Sequence, residues 1–487
     1  MTDDRTSGLM ALERDVSRDL ARLNYPPQNW VPRRVGPDGQ PLLDVLVVGG
    51  GMCGQTAAFA LMREGVRNLR VVDRAPTGGE GPWATFARME TLRSPKHLTG
   101  PDLGVTALTF RAWFEAQHGE AAWAALHKIP RLDWWNYLLW VRRMTGVSVE
   151  NRTELLRLLP RGDVIEAQMS GPSSSTVSAR KVVLALGREG SGAAQWPALP
   201  SFVPGKSNAF SRVLHANDTT IDFTAWKGKH VGVLGAGASA FDNAGSALEA
   251  GAAEVTLFMR RPHLPQVNKS KWTAFAGCLR GLQSLDDEIR WRFYTYILDE
   301  QVPPPYESVL RCDRFTGFSI RFGEPWLDIV ARENGVTVTT SKAEHRFDAV
   351  IVATGFDVDV AARPELAAIR NEIALWADRV TIQEAKAHPE AARFPYLGDG
   401  FQLSARVPDG PLATSLANIH IFNWGATISH GPLAGDIPGL AVGATRLANA
   451  IVRDLFRADA EQHYAALQAL EEPELKPTRY FVPPALR

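Results

Sequence analysis

"LDVLVVGGGMCGQTAAFALMREGVRNLRVVDRA" runs from Leu43 to Ala75. It reads as an apolar strand, a glycine knot, a helix and a second strand that closes on an acid. Gly49, Gly51 and Gly54 fit G-x-G-x-x-G directly after the first strand. The first glycine lets the chain turn sharply, the second lets the backbone approach a pyrophosphate, and the third lets helix and strand pack closely. The helix start, at Met52 and Cys53, offers free N–H groups and a partial positive charge to phosphates. Asp73, at the tip of the second strand and followed by Arg74, is placed to accept hydrogen bonds from a ribose diol.

A second version, "HVGVLGAGASAFDNAGSALEAGAAEVTLFMRR", runs from His230 to Arg261. Gly235, Gly237 and Ala240 give the G-x-G-x-x-A variant, with Ala238 and Ser239 opening the helix. Its second strand ends in Arg260 and Arg261 instead of an acid. A carboxylate there would repel a ribose 2′-phosphate, whereas a guanidinium clamps one bidentately. The first knot is therefore expected to hold FAD and the second NADPH.

Working outward, 487 residues exceed one ordinary core, so two domains are expected. Strands alternate with helices from Leu43 to about Pro200, again from the second knot, and again in "HRFDAVIVATGF" and "NIHIFNWGATISHGPLAGDIPGLAVGATRLANAIV". That rhythm implies an α/β chain with two Rossmann-like dinucleotide-binding domains, three-layered with parallel sheets, the NADPH domain inserted in the FAD domain. The expected limits are 1–41 for an N-terminal helical arm, 42–204 and 343–487 for the FAD-binding domain, and 205–342 for the NADPH-binding domain. In the arm, Leu9, Leu12, Val16, Leu20 and Leu23 recur at helical spacing. The arm packs on the surface or covers a partner subunit, which leaves a homo-oligomer open. "SGPSSSTVS" reads as a hairpin loop, and "DEIRWRFYTYILDE" as a buried helix face.

Lys+Arg and Asp+Glu are both 53, and this balance argues against nucleic acid as a partner. The 3 cysteines, Cys53, Cys278 and Cys312, follow no paired or metal-ligand spacing, which points to a reducing compartment and no metal. With no apolar leader and no run long enough to cross a membrane, a cytoplasmic location is expected.

The two knots resemble those of class B flavoprotein monooxygenases, the flavin-containing, N-hydroxylating and Baeyer–Villiger enzymes. The likeness extends from about Leu43 to Leu455. "GGEGPWATFARMETLRSPKHL" is similar to the family segment in which Gly-Gly and a Trp, here Gly78, Gly79 and Trp83, lie against the flavin. "LTFRAWFEAQHG" resembles the next stretch of N-hydroxylating members, and "DAVIVATGF" the interdomain linker, with Thr354 and Gly355 at the crossing. Where the family fingerprint has Phe-x-Gly-x-x-x-His, this chain keeps His215 but carries Ala209 and Ser211.

The resemblance implies an FAD-dependent, NADPH-using monooxygenase that forms a flavin hydroperoxide and inserts one oxygen atom of dioxygen into a small organic substrate. N-, S- or ketone oxygenation and hydroxylation of a nitrogen heterocycle all stay open. Arg93 and Lys96 are candidates for the flavin face or an anionic substrate. His430 is a candidate proton donor. Asn423 and Asp436 fall where the resemblance places the flavin, and Asn268 and Lys269 are candidates for substrate. A disulfide reductase would need two neighbouring cysteines, which Cys53 lacks. An NAD(P)H oxidase or quinone reductase without oxygen insertion, and a flavin-binding regulator without turnover, are the remaining alternatives.

Overall fold

The computed structural model describes residues 2–36, 39–98, 100–172, 175–204, 212–475 and 478–482, with side chains from residue 7 onward. Ala209 and Ser211, and the middle of the "SGPSSSTVS" loop, lie outside the described residues.

The stretch that opens the sequence forms strand Leu43–Val48, helix Met52–Arg63 and strand Leu69–Val72. The first strand is buried along almost its whole length, as an unbroken apolar run covered on both faces must be. It pairs in parallel with Leu69–Val72 on one side and with Ser175–Leu184 on the other. The short strand Ile419–Ile421 returns from far along the chain and adds in parallel to the end of Ser175–Leu184. Helix Ile437–Ala458, apolar along one stripe, then packs against helix Met52–Arg63.

The expected alternation of strands and helices breaks down within this unit. Glu154–Arg161, Val164–Ser170 and Ser175–Leu184 form an antiparallel meander. Ser175–Leu184 begins in that meander and ends in the parallel sheet, so one long strand belongs to both.

The second sheet is parallel throughout, in the order Phe318–Arg321, Glu254–Phe258, His230–Leu234, Ala349–Val352, Val213–His215. Helix Ala238–Glu249 follows the second knot. Strand Ala349–Val352 lies beyond the expected limit at 342, so this sheet closes later in the chain than that limit allows. Ahead of it, Trp326–Arg332, Gly335–Thr340 and Glu344–Phe347 make a separate antiparallel sheet.

The chain leaves the first sheet and returns to it through a two-stranded ribbon, Gly192–Ala194 against Phe356–Val358. Gln195 N–H donates to the Gly355 carbonyl at 2.9 Å, and the Thr354 hydroxyl donates to the Gln195 carbonyl. His215 sits beside this ribbon, buried between Trp196 and Phe356.

Between strands Glu254–Phe258 and Phe318–Arg321 lie helices Ala276–Gly281, Asp287–Glu300 and Tyr306–Asp313. Trp291 and Tyr294 of the second of these are buried with Trp376, Phe394 and Ile428, which ties this insert to the returning segment. The N-terminal helix, Thr2–Arg22, buries Val16 and Leu20. Its Glu13 pairs with Arg143 and accepts from Trp140 Nε1 at 3.2 Å.

Candidate active site

Both knots are built to one plan. Gly49 N–H donates to the carbonyl of Val72, the last residue of the neighbouring strand, at 2.8 Å; Gly235 N–H donates to that of Phe258 at 2.9 Å. Both glycines have positive φ, +103° and +119°, where a side chain is strained. A Cβ at Gly49 would lie 2.4 Å from the Ala185 carbonyl oxygen, and one at Gly235 2.5 Å from that of Ala353. Ala185 and Ala353 each follow the central strand of their sheet, so each knot is pressed against its sheet in the same way.

The second glycine of each knot is different. A Cβ at Gly51 would meet only ordinary contacts, the nearest at 3.6 Å to Gly81, and one at Gly237 would meet nothing within 4 Å. Packing therefore does not require glycine at either place. Each caps the helix that follows without a side-chain hydrogen bond, and the N–H groups of Met52, Cys53, Ala238 and Ser239 face that opening. Open space at a helix N-terminus, on the carboxyl side of a parallel sheet, fits a dinucleotide pyrophosphate in both units.

Asp73 Oδ2 accepts from Gly50 N–H at 2.7 Å and Oδ1 from Ala75 N–H at 2.8 Å, while burial pushes its carboxyl pKa up. Each oxygen keeps a lone pair for a ribose hydroxyl. Arg74 points outward and pairs with Glu189 at 2.8 Å. At the second site, Arg260 is exposed and free of hydrogen bonds among the described residues. Arg261 is half-buried and donates to the Asp299 carbonyl at 3.1 Å. Only Arg260 thus keeps all its donors for a phosphate.

The loop carrying Gly78, Gly79 and Trp83 lies over the first knot, with Gly81 facing Gly51. Its anchor is Glu80, a buried carboxylate that sequence reasoning passed over. Glu80 accepts from Arg142 at 2.7 Å and from Asn151 at 2.6 Å. Trp83 is half-buried, edge-on to Trp134 at 6.4 Å.

Several expected site residues are placed elsewhere or already engaged. Lys96 Nζ donates to the Trp123 carbonyl at 2.6 Å and lies 4.7 Å from the Trp123 ring, so its ammonium is already engaged. His430 is fully buried: Nε2 donates to the Gly398 carbonyl at 3.0 Å, Nδ1 accepts from Arg446 at 3.2 Å, and the ring stacks on Phe401. Burial and the Arg446 cation push its pKa down to about 3, so the ring is neutral and its one N–H is taken by Gly398. Asn423 is also buried, bracing the Leu184 and Gly190 carbonyls and the Gly425 N–H, so its side chain holds a loop. The Thr354 hydroxyl is taken by the ribbon.

Asp436 stays available, half-exposed at the start of helix Ile437–Ala458 and making no capping bond. Met52 and Cys53 contribute backbone only: the Cys53 thiol is buried against the Ala434 carbonyl, with its pKa up at about 12 through burial. Cys278 and Cys312 are free and buried as well, so no redox-active pair exists beside the first knot. Asn268 is half-buried with Oδ1 unpartnered, and Lys269 Nζ lies 5.5 Å from the Tyr296 ring. Arg93 is exposed, as is Arg188, a residue not singled out from the sequence. The signal for Arg188 was its place directly after Gly187, at the carboxyl end of a central strand.

Two dinucleotide cradles of unlike tips, joined by a paired ribbon and lacking a cysteine pair, define a flavoprotein oxidoreductase without dithiol chemistry. Residues 43–277 match the family model described as pyridine nucleotide-disulphide oxidoreductase. The chain is 41% identical over 466 residues to the FAD-dependent urate hydroxylase of Xanthomonas campestris pv. campestris, covering 96% of this chain and 97% of that one. In fold it is similar to the ornithine N-hydroxylase of Kutzneria sp. 744, solved with reduced FAD, NADP+ and L-ornithine, and to the ornithine hydroxylase of Pseudomonas aeruginosa. Each shows a TM-score of 0.65 at 14% identity, over 85% of this chain and 100% of the other. The chain belongs to the same family of FAD-dependent monooxygenases as that urate hydroxylase, and its fold is that of the N-hydroxylating flavoproteins. Among the described residues no helix is long and apolar enough to cross a membrane, and no group of side chains is arranged to hold a metal.

Proposed function

We propose that this enzyme hydroxylates urate or a closely related nitrogen heterocycle, with NADPH as reductant and dioxygen as oxidant. The observation that carries the reading is the 41% identity to a urate hydroxylase across 96% of the chain. Gly51, Met52, Cys53 and Asp73 hold FAD, and Gly237, Ala238, Ser239 and Arg260 hold NADPH. When bound, FAD supplies hydride acceptance and oxygen activation, chemistry that no side chain of this protein offers. The protein's part is to fix both nucleotides, orient the heterocycle between them and keep water out. Overall, one oxygen atom enters the substrate and the other leaves as water, with two electrons drawn from the nicotinamide.

In this reading residues 1–41 are an arm, 42–204 and 353–487 the FAD unit, and 205–352 the NADPH unit, whose sheet strand Ala349–Val352 completes. The enzyme works in the cytoplasm on small molecules, without nucleic acid or membrane; the zero formal charge supports this. The test is a coupling assay. Urate should disappear mole for mole with NADPH, and labelled dioxygen should deliver one atom to the product. NADPH consumption that yields only hydrogen peroxide, whatever heterocycle is present, would return the chain to the oxidase alternative.

A further inference from the structure

Arginines crowd the seam between the two units, and most are already engaged. Arg88 donates to the Asp218 carbonyl at 2.9 Å, Arg131 to the Met89 carbonyl at 2.9 Å, and Arg311 to the Arg88 carbonyl at 2.7 Å and to Glu249. Arg188 and Arg93 differ. Neither side chain makes a hydrogen bond to any described residue, although each has five donors.

Arg188 is held without being satisfied. Its guanidinium carbon lies 3.8 Å from the Trp424 ring centroid, a stacked cation. Its Nη2 lies 3.9 Å from Asp436, close enough to be oriented and too far for a hydrogen bond. The side chain is 51% exposed, so its unsatisfied donors are open to a ligand. Its position adjoins the first cradle, because Ala434, two residues before Asp436, touches the Cys53 thiol at 3.5 Å. Arg93 is exposed within electrostatic reach of it. Its charge is felt by Arg188, by Asp436 and by Asp242, which lies on the helix of the second cradle. Arg188 therefore stands beside the first cradle, with Arg93 within electrostatic reach of both it and the helix of the second.

We propose that Arg188, assisted by Arg93, recognises the substrate, binding the carbonyl oxygens and negative charge of a planar heterocyclic anion of the urate kind. The cofactor phosphates have other donors: helix N-termini for both pyrophosphates, and Arg260 for the 2′-phosphate. A flat guanidinium lying on an indole offers an edge of paired N–H groups, matched to adjacent oxygens on a ring. The inference rests on the function proposed above and names its specificity residue.

Arg188→Gln removes the charge and the fork from a half-exposed position, and Arg93→Gln is the independent second variant. For Arg188→Gln the KM for urate should rise roughly 10- to 100-fold. FAD affinity, read by quenching of flavin fluorescence, should move less than about twofold. Arg188→Lys should recover only part of the loss, because an ammonium lacks the fork. An unchanged KM in Arg188→Gln, with wild-type enzyme active on urate, overturns this assignment alone. A tenfold loss of FAD affinity also overturns it, since Arg188 would then serve the flavin phosphates. Wild-type enzyme that neither binds nor oxidises urate overturns the functional reading and this assignment together.

Discussion

At the scale of single residues, the glycines of the first cradle separate folding from binding. A Cβ at Gly54 would lie 1.7 Å from the Gly49 carbonyl oxygen, an overlap with backbone that nothing flexible relieves. At Gly51 it would make only ordinary contacts, and φ of −71° suits any residue. Gly54→Ala should therefore fail to fold or lose more than about 3 kcal/mol in urea melts. Gly51→Val should melt as a folded protein yet purify colourless, its side chain standing where the pyrophosphate enters. A yellow Gly51→Val protein would remove FAD from this site. The arginine pair separates in the same way. Arg260→Ala should raise the KM for NADPH roughly 10- to 100-fold with NADH little changed, because Arg260 alone keeps its donors. Arg261→Ala, whose guanidinium is tied to Asp299, should discriminate far less. Steady-state kinetics with both nucleotides decides this. These residues were legible because a motif states its own geometry: the spacing implies the turn and the tip implies the ligand. Lys96, Asn423 and His430 were not. Each is a polar group whose partner is a carbonyl from a separate segment, Trp123, Leu184 or Gly398, and no local pattern announces that pairing.

At the scale of elements, parallel strands declared themselves through unbroken apolar runs, "LDVLVV" and "AVIV" among them. The meander from Glu154 to Leu184 was hidden, because its last strand is half exposed and half buried and reads as a parallel strand only at its end. Helix Arg131–Thr145 was equally silent about its role, which is to brace the loop over the first cradle. Trp135 Nε1 donates to the Gly78 carbonyl at 2.8 Å, Arg131 to the Met89 carbonyl at 2.9 Å, and Arg142 to Glu80 at 2.7 Å. Glu80 is almost wholly buried, so removing its cation leaves a charge without compensation. Arg142→Met should cost about 3 kcal/mol, the low end for a broken buried pair, since Asn151 still donates to the carboxylate. Adding Glu80→Gln should recover part of that loss. A double-mutant cycle in urea gives the coupling, and flavin affinity measured on the same proteins reports whether the loop holds its place. Additive effects would show that Glu80 and Arg142 are neighbours without consequence.

At the scale of the whole molecule, the two-unit plan was readable from two knots and two Ala-x-Gly strand ends, Ala185–Gly187 and Ala353–Gly355, but the point of return was not. Strand Ala349–Val352 completes the second sheet just before the ribbon, so only the pairing reveals where one unit stops. The returning segment carries two buried histidines, and these make its packing sensitive to acid. His420 Nδ1 donates to the Gly400 carbonyl at 2.7 Å, and burial together with the Lys181 cation pushes its pKa down to about 3. His430 behaves alike, under burial and Arg446. A histidine takes a proton in the unfolded chain near pH 6.5. Its folded pKa is lower, so the stability from keeping it neutral is fully present above pH 6.5. That stability drains as pH falls toward 3, by about 1.4 kcal/mol per pH unit per histidine. Asp44 works in the opposite sense. Burial raises its carboxyl to about 6, so its buried charge weakens the fold above pH 6 and the penalty is relieved by about pH 4. The clean measurement is a difference between proteins. His430→Gln keeps a donor for Gly398 but has no proton to gain, so its stability deficit against wild type should shrink steadily from pH 6.5 to pH 4. Asp44→Asn should show its greatest relative advantage at pH 7 and lose it by pH 4. Urea midpoints across that range, taken with FAD saturating, read both trends. Parallel pH curves for wild type and His430→Gln would mean that the imidazole titrates in the folded protein and that the returning segment opens to water at that point.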